Sequence, residues 1–351
     1  MAHEAPRPAR RRLLAAWAAL RPRTTLALAA LSLWACGSPP GAVPAKVAPE
    51  LARPDAAAPS ATGPSTATRA MPARTDGRLS LAEARAHMLT LINRDRASEG
   101  LSPVVLDEGA AQKAGQRHAE DMARLGFLGH WGSDGSVPEQ RHSEAGGVDF
   151  VMENAACVTD EKPRDIDAAP SIEKEALERT EGMFFGEVPP NDGHRKNILK
   201  AEHKRVGIGI AQTRGSVTEL PALCLTQEFI DPYGTYAPLP KQAKAGESLT
   251  VSGAVTGNVK FGGVSVGRVD LPKPLAPSDL NKRRSYTFPE PYQIYWPRGY
   301  KTPLPVEVHG QNFKITVPLA RGPGLYSITI LAQHPGQKSY GAISVRTVVV
   351  Q

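Results

Sequence analysis

The sequence predicts an α+β domain followed by an all-β domain, set behind a leader and an unstructured tether. Two observations place the first domain. Capped stretches of helical apolar spacing occur at residues 80–125 and 172–185, and short apolar strand-like runs occur at 150–157, 206–212 and 222–230. A third places the second domain. Beyond residue 241 seven β-type runs recur between Gly and Pro, as in a sandwich.

The chain has 351 residues, enough for two domains of ordinary size, with 41% hydrophobic and 22% charged residues. The net charge of +7 is unevenly spread. Residues 1–35 carry +5 and residues 241–351 carry +9, which leaves −7 for 36–240. An acidic module is thus joined to a basic one. A basic module can meet an anionic envelope polymer or lipid, or simply present a solvated surface. No nucleic-acid motif accompanies the charge, so nucleic acid is not an expected partner.

The leader, 1–35, opens with Arg7, Arg10, Arg11, Arg12, Arg21 and Arg23. Thr24 to Ala35 is apolar but too short to span a bilayer of about 30 Å, and it fits a signal-peptide core. It ends Leu33-Trp34-Ala35-Cys36-Gly37, which resembles the lipobox of bacterial lipoproteins. That resemblance implies cleavage before Cys36, lipidation of its thiol, and a membrane as the first partner. Gly37 rather than Asp implies the outer membrane of a double-membrane bacterium. An ordinary secretion signal is the other reading. Residues 36–77, rich in Ala, Pro, Ser and Thr, cannot bury enough apolar surface to offset the entropy of ordering, and read as a tether.

The first folded domain is expected over 78–237. Ser80 and Glu83 form a capping box, and Leu81, Ala84, Met88, Leu91 and Ile92 then fall at helical spacing up to about 98. Asp107 can cap a second helix that ends at Gly126, with a close-packing face of Ala111, Ala114 and Met122. His118 lies on this helix and reads as a packed or surface histidine. Ser171 can cap a third helix over 172–185. From Phe184 to Ala211 a helix end delivers Glu187, a Pro-Pro-Asn-Asp-Gly loop turns the chain, His194 opens a short helix, and a strand with two glycines follows.

Seven motifs stand in order. They are Asn93-Arg94-Asp95-Arg96, His118-Ala119-Glu120-Asp121-Met122, Phe127-Leu128-Gly129-His130, Glu153-Asn154, Gly193-His194-Arg195-Lys196-Asn197-Ile198-Leu199, Val206-Gly207-Ile208-Gly209 and Thr226-Gln227-Glu228-Phe229. Together they resemble the CAP superfamily, also called SCP/TAPS, and its bacterial YkwD-like branch. The resemblance covers about 80–232. It implies an α-β-α sandwich around a three- or four-stranded antiparallel sheet. It also implies a cleft lined by two His and two Glu, matched here by His130, Glu153, Glu187 and His194. For Glu187 the aromatic three residues earlier is Phe184 rather than the usual Trp. Lipids, sterol-like molecules and peptides are the ligands that the resemblance implies.

Imidazole and carboxylate donors together suit Zn²⁺ or another divalent cation. A metal-dependent hydrolase acting on envelope peptide or ester bonds is therefore one reading of these four residues. The other is a hydrogen-bonded network in which each Glu orients a His. Ser133, Ser136 and Ser143 lack a nucleophile-elbow context, so a serine hydrolase has no support. Cys157 and Cys224, on two predicted strands in an oxidising compartment, read as a disulfide closing 67 residues and worth roughly 4 kcal/mol. Free buried thiols are the alternative.

In the second domain, over 241–351, the runs are 248–253, 259–269, 286–288, 305–308, 313–317, 326–332 and 343–349. Lys282, Arg283, Arg284, Tyr286, Tyr292, Tyr295, Trp296, Arg298, Tyr300 and Lys301 concentrate rings and cations. They read either as a sugar-stacking surface or as a long loop packed over the sandwich. The whole predicts an extracytoplasmic, lipid-anchored binding module, with the hydrolase as the alternative.

Overall fold

The CAP-type half is built by helices α1 (Leu81–Ser98), α2 (Ala110–Leu125), α3 (Pro138–Glu144), α4 (Lys174–Phe185) and α5 (Gly193–Ile198) around strands β1 (Val105–Leu106), β2 (Phe150–Val158), β3 (Arg205–Gln212) and β4 (Leu223–Asp231). The structure is a computed structural model, and it describes residues 43–44, 77–216, 219–283 and 285–351. The leader, Cys36 and nearly all of the tether lie outside the described residues. Among the described residues no helix is long and apolar enough to cross a membrane.

The sheet order is β1-β3-β4-β2. The two long pairings are antiparallel, as expected, but the two-residue edge strand β1 runs parallel to β3. That departs from an all-antiparallel sheet. Both capping predictions around α1 and α2 have structural counterparts. Ser80 and Glu83 make the reciprocal capping box. The N-cap of α2 is Gly109, and Asp107 Oδ2 accepts from the N–H groups of Gly109 and Ala111, satisfying free donors of the first turn. The α2 axis lies close on β3. A Cβ at Gly207 or Gly209 would come within 2.3 Å of the backbone of Ala111 or Gly115, which accounts for both strand glycines.

The third helix starts later than expected. Ile172 and Glu173 pair with Leu79 and Arg78 as strand, so α4 begins at Lys174, and its N-cap is Glu173 rather than Ser171. The apolar core lies between α1, α4 and the sheet, with Met88, Ile92, Phe184, Ile208 and Phe229 fully buried. Cys157 and Cys224 are directly opposed on β2 and β4 and form the disulfide.

The second half is a β-sandwich-like domain. One sheet is β9-β10-β6-β5, formed by Glu307–His309, Asn312–Pro318, Ser248–Val255 and Gly234–Tyr236. The other is built on β12-β11-β7-β8, formed by Ser339–Val350, Gly324–Gln333, Lys260–Val269 and Gln293–Tyr295. Val43–Pro44 and Gln242–Ala243 both pair with β12. Val251 and Ile315 from one sheet meet Val264, Ile328 and Ile343 from the other in one core. Because β5 pairs with β6, Gly234–Tyr236 belongs to this sheet rather than to the first domain.

Tyr286–Phe288 is not a strand, contrary to expectation. Strands β7 and β8 are antiparallel neighbours, yet the chain between them leaves the sandwich as a long strap containing a short helix, α6 (Pro277–Leu280). The strap docks on the CAP-type half, and the described residues of both halves fall in one compact unit. Leu280 is buried beside Phe127 and Leu128. Asn281 Oδ1 accepts from the N–H of Leu128 at 2.9 Å. Tyr286 packs edge-on to Trp131, and Phe288 edge-on to Phe150. Part of the ring-and-cation cluster thus packs over the neighbouring domain rather than over the sandwich. The physical reason is ring packing: Trp131 and Phe150 each meet a ring of the strap edge-on.

Candidate functional site

The four residues singled out by the sequence fall into two buried His–Glu pairs. His130 follows α2 on the Phe127-Leu128 turn, and Glu153 lies on β2 opposite Glu228 of β4. His130 Nδ1 is 2.8 Å from Glu153 Oε1. Arg141 of α3 donates to Glu153 Oε2 at 2.7 Å and to the carbonyls of His130 and Ser136 at 3.1 and 2.9 Å. Burial opposes the charge on Glu153, but Arg141 and the surrounding histidines outweigh it and hold its carboxyl well below the usual range.

His118 belongs to this cluster, which the sequence reading missed. It is fully buried, its Nε2 lies 2.7 Å from the Gly129 carbonyl and 3.8 Å from Glu153 Oε1. Burial, reinforced by Arg141, lowers its pKa to about 4, so it is neutral at pH 7 and donates through Nε2. The signal was present in the sequence. His118 is four residues from Ala114 and from Met122, on the buried stripe of α2. Arg141 carried no such signal, since α3 was not foreseen.

The second pair is built by one turn. Glu187 Oε2 accepts from the backbone N–H of His194 at 2.8 Å, and Oε1 lies 2.5 Å from its Nδ1. Phe184 stacks on the His194 ring with centroids 4.5 Å apart, the role that the unusual aromatic fills. Two asparagines tie the pairs together. Asn197 Nδ2 donates to Asn154 Oδ1 at 2.9 Å and to the Glu153 carbonyl at 3.3 Å. Asn154 Nδ2 donates to the His194 carbonyl at 3.2 Å and to Gln227 at 2.9 Å. Gln227 in turn donates to Glu181, whose pKa burial raises to about 8. A second raised carboxyl lies beside Arg141: burial lifts Glu139 to about 7, and the Tyr286 hydroxyl of the strap donates to it.

As arranged, this donor set does not fit a divalent ion. Each Glu already accepts two hydrogen bonds, and the Arg141 guanidinium beside Glu153 opposes a second cation. Among the described residues no group of three or more His, Cys, Asp or Glu side chains is placed to hold a metal. The serines do not supply a nucleophile either. Ser133 Oγ donates to Asp121, Ser143 Oγ accepts from the N–H of Thr347, and Ser136 Oγ is buried against the Asp134 carboxylate. On the other flank of β2 a narrow apolar groove runs along α4, lined by Leu128, Ala156, Leu177, Met183, Leu223 and Leu225.

Residues 89–229 match the model of the cysteine-rich secretory protein family, CAP. No curated protein matches the sequence. Among solved structures, an extracellular protein containing an SCP domain from Bacillus anthracis str. Ames is similar at 18% identity and a TM-score of 0.31. That alignment covers 42% of this chain and 40% of the other. A chitin binding domain from Burkholderia pseudomallei is similar at 12% identity and a TM-score of 0.21, over 32% of this chain and 57% of the other. This chain therefore spans less than two thirds of either structure. The motifs, the helix-sheet-helix layering and the match over 89–229 have one conclusion: this stretch of the chain is a CAP domain of the cysteine-rich secretory protein family.

Proposed function

We propose that the chain is an extracytoplasmic, lipid-anchored binding protein whose CAP domain takes a small hydrophobic or peptidic ligand. The observation that carries this reading is the commitment of His130, Glu153, Glu187 and His194 to one another and to Arg141. Groups held in this way build a rigid polar scaffold and have no free carboxylate to activate water. The apolar groove along α4, with a cavity of about 20 Å³ as it stands, would take one small apolar group of a hydrophobic or peptidic ligand. The Cys157–Cys224 disulfide favours an oxidising compartment, in keeping with export by a leader, 1–35, that is cleaved before Cys36. The basic second domain, at +9, would face anionic envelope polymer or lipid headgroups.

The test is native mass spectrometry of the full chain purified from membranes, compared with Met183→Arg. The reading predicts a bound apolar or peptidic molecule in the wild type that is lost in the variant, whose melting is unchanged. The hydrolase alternative is tested on ester and peptide substrates. Turnover that Glu153→Gln abolishes in a folded protein would replace the binding reading.

A further inference from the structure

A separate cavity of about 200 Å³ lies on the exposed side of α2, away from the apolar groove. Its mouth is formed by Arg117 and Arg124 of α2 and by Asp134 of the following loop, all exposed. Its floor is formed by His118, Ser136 and Arg141, each at most 2% exposed. Two of the three floor residues have a buried polar atom without a hydrogen-bond partner, His118 Nδ1 and Arg141 Nε, while Ser136 Oγ lies against the Asp134 carboxylate. Buried polar groups are nearly always paired, so two orphans around one cavity call for an occupant.

The chemistry of the orphans defines that occupant. His118 donates through Nε2, so its Nδ1 is an acceptor. Arg141 Nε–H is a donor. Of the charged groups in the lining, Arg117 already pairs with Asp134 and Glu144, and Arg141 with Glu153, which leaves the Arg124 guanidinium on one side and the carboxylates of Glu120 and Asp121 on the other. Both signs are thus on offer, and a lone dication or a phosphate would leave one of them unmatched. A molecule carrying both signs matches the lining.

We propose that this cavity is a binding site for a small zwitterion of the free amino-acid type. The carboxylate meets Arg141 Nε–H and the Arg124 guanidinium. The ammonium meets His118 Nδ1 and the carboxylate of Asp121. The site is pre-organised. Asp121 holds Ser133 through both N–H and hydroxyl, at 2.7 and 2.8 Å, and Gly132 N–H donates to the Ser136 carbonyl at 2.8 Å. The strap clamps the same loop from outside: Leu275 N–H donates to the Ser133 carbonyl at 2.8 Å, and a Cβ at Gly135 would meet the Lys273 carbonyl oxygen at 2.3 Å. Rigid walls lower the ordering cost of binding a small molecule.

The experiment is calorimetric titration of the full chain with glycine and L-alanine, beside acetate and methylamine. The expected result is saturable one-to-one binding of the zwitterions, with each single-charge probe at least about tenfold weaker. Arg124→Ala is expected to weaken glycine by about tenfold, and Arg124→Lys to restore part of it. Arg124 is exposed, so an unchanged melting temperature separates lost contact from lost fold. Equal binding of acetate and glycine, or glycine binding indifferent to Arg124→Ala, overturns the proposal. So does a crystal soaked in glycine that shows only waters on His118 and Arg141. Met183→Arg, which tests the apolar groove, is expected to leave glycine binding unchanged, so the two readings fail separately.

Discussion

Replacing Arg141 by Met keeps the bulk of the side chain and removes its charge, which isolates the partner on which Glu153 depends. In the wild type the Glu153 carboxyl is held well below its usual range. A carboxylate with a depressed folded pKa contributes stability that is present above its unfolded pKa, about 4.3, and is lost as pH falls through the folded value. In Arg141→Met the carboxylate keeps the burial and loses the guanidinium at 2.7 Å. Its folded pKa then rises above the unfolded one, and the sign reverses, so stability is lost as pH increases. Removing one partner of a buried pair costs about 3–5 kcal/mol. About 2 kcal/mol of this comes from the carbonyls of His130 and Ser136, which lose their donor at every pH. Urea unfolding at pH 5, 6.5 and 8 should therefore show a deficit of about 3–5 kcal/mol at pH 8 that is smaller at pH 5 yet stays above the about 2 kcal/mol of the lost carbonyl donors, because the wild-type carboxylate keeps its stabilisation at all three pH values. A deficit below about 1 kcal/mol at pH 8, or one of equal size at all three pH values, would refute the electrostatic account of Glu153.

Three further outcomes follow from the geometry. Leu280→Ala should cost about 2–4 kcal/mol by emptying the strap's anchor, and Tyr286→Phe about 1 kcal/mol, both read by urea unfolding; a neutral Leu280→Ala would mean that the strap is not docked. Stability should peak near pH 6.5. His118 and His142, both lowered to about 4 by burial, lose stability as pH falls below about 6.5, while Glu139 near 7 and Glu181 near 8 lose it as pH rises; Glu181→Gln should remove about 2 kcal/mol of the decline between pH 6.5 and 8. Cys157→Ser with Cys224→Ser should cost roughly 4 kcal/mol, and an unreduced digest of the wild type should yield the two cysteine peptides linked.

What could be read in the sequence was local. The capping box at Ser80, the role of Asp107 at the second helix and the left-handed stop at Gly126 depend on a few neighbouring residues, and periodicity carried α1, α2 and the long strands. The set His130, Glu153, Glu187 and His194 is implied only by a family pattern, which does not say which His meets which Glu; the structure pairs His130 with Glu153 and His194 with Glu187. What stayed hidden was long-range. Arg141 is on a seven-residue helix whose burial comes from the β12 edge and the strap, and nothing in its own window marks it. The Ile172–Glu173 strand exists because Arg78–Leu79 lies beside it. Tyr286–Phe288 has the composition of a strand, yet its rings are used on another domain. Taken alone, His118 reads as a packed or surface histidine, whereas its position in the stripe of buried alanines places it against Glu153.

The central claim is that the two His–Glu pairs are a structural network rather than a metal centre. Calorimetric titration of Zn²⁺, then Ca²⁺, into the full chain at pH 7.5 tests it most directly, repeated with His194→Ala and with His130→Ala. The account predicts no binding tighter than about 1 mM that depends on either histidine. Micromolar binding lost in both variants would contradict it and make the four residues a metal site.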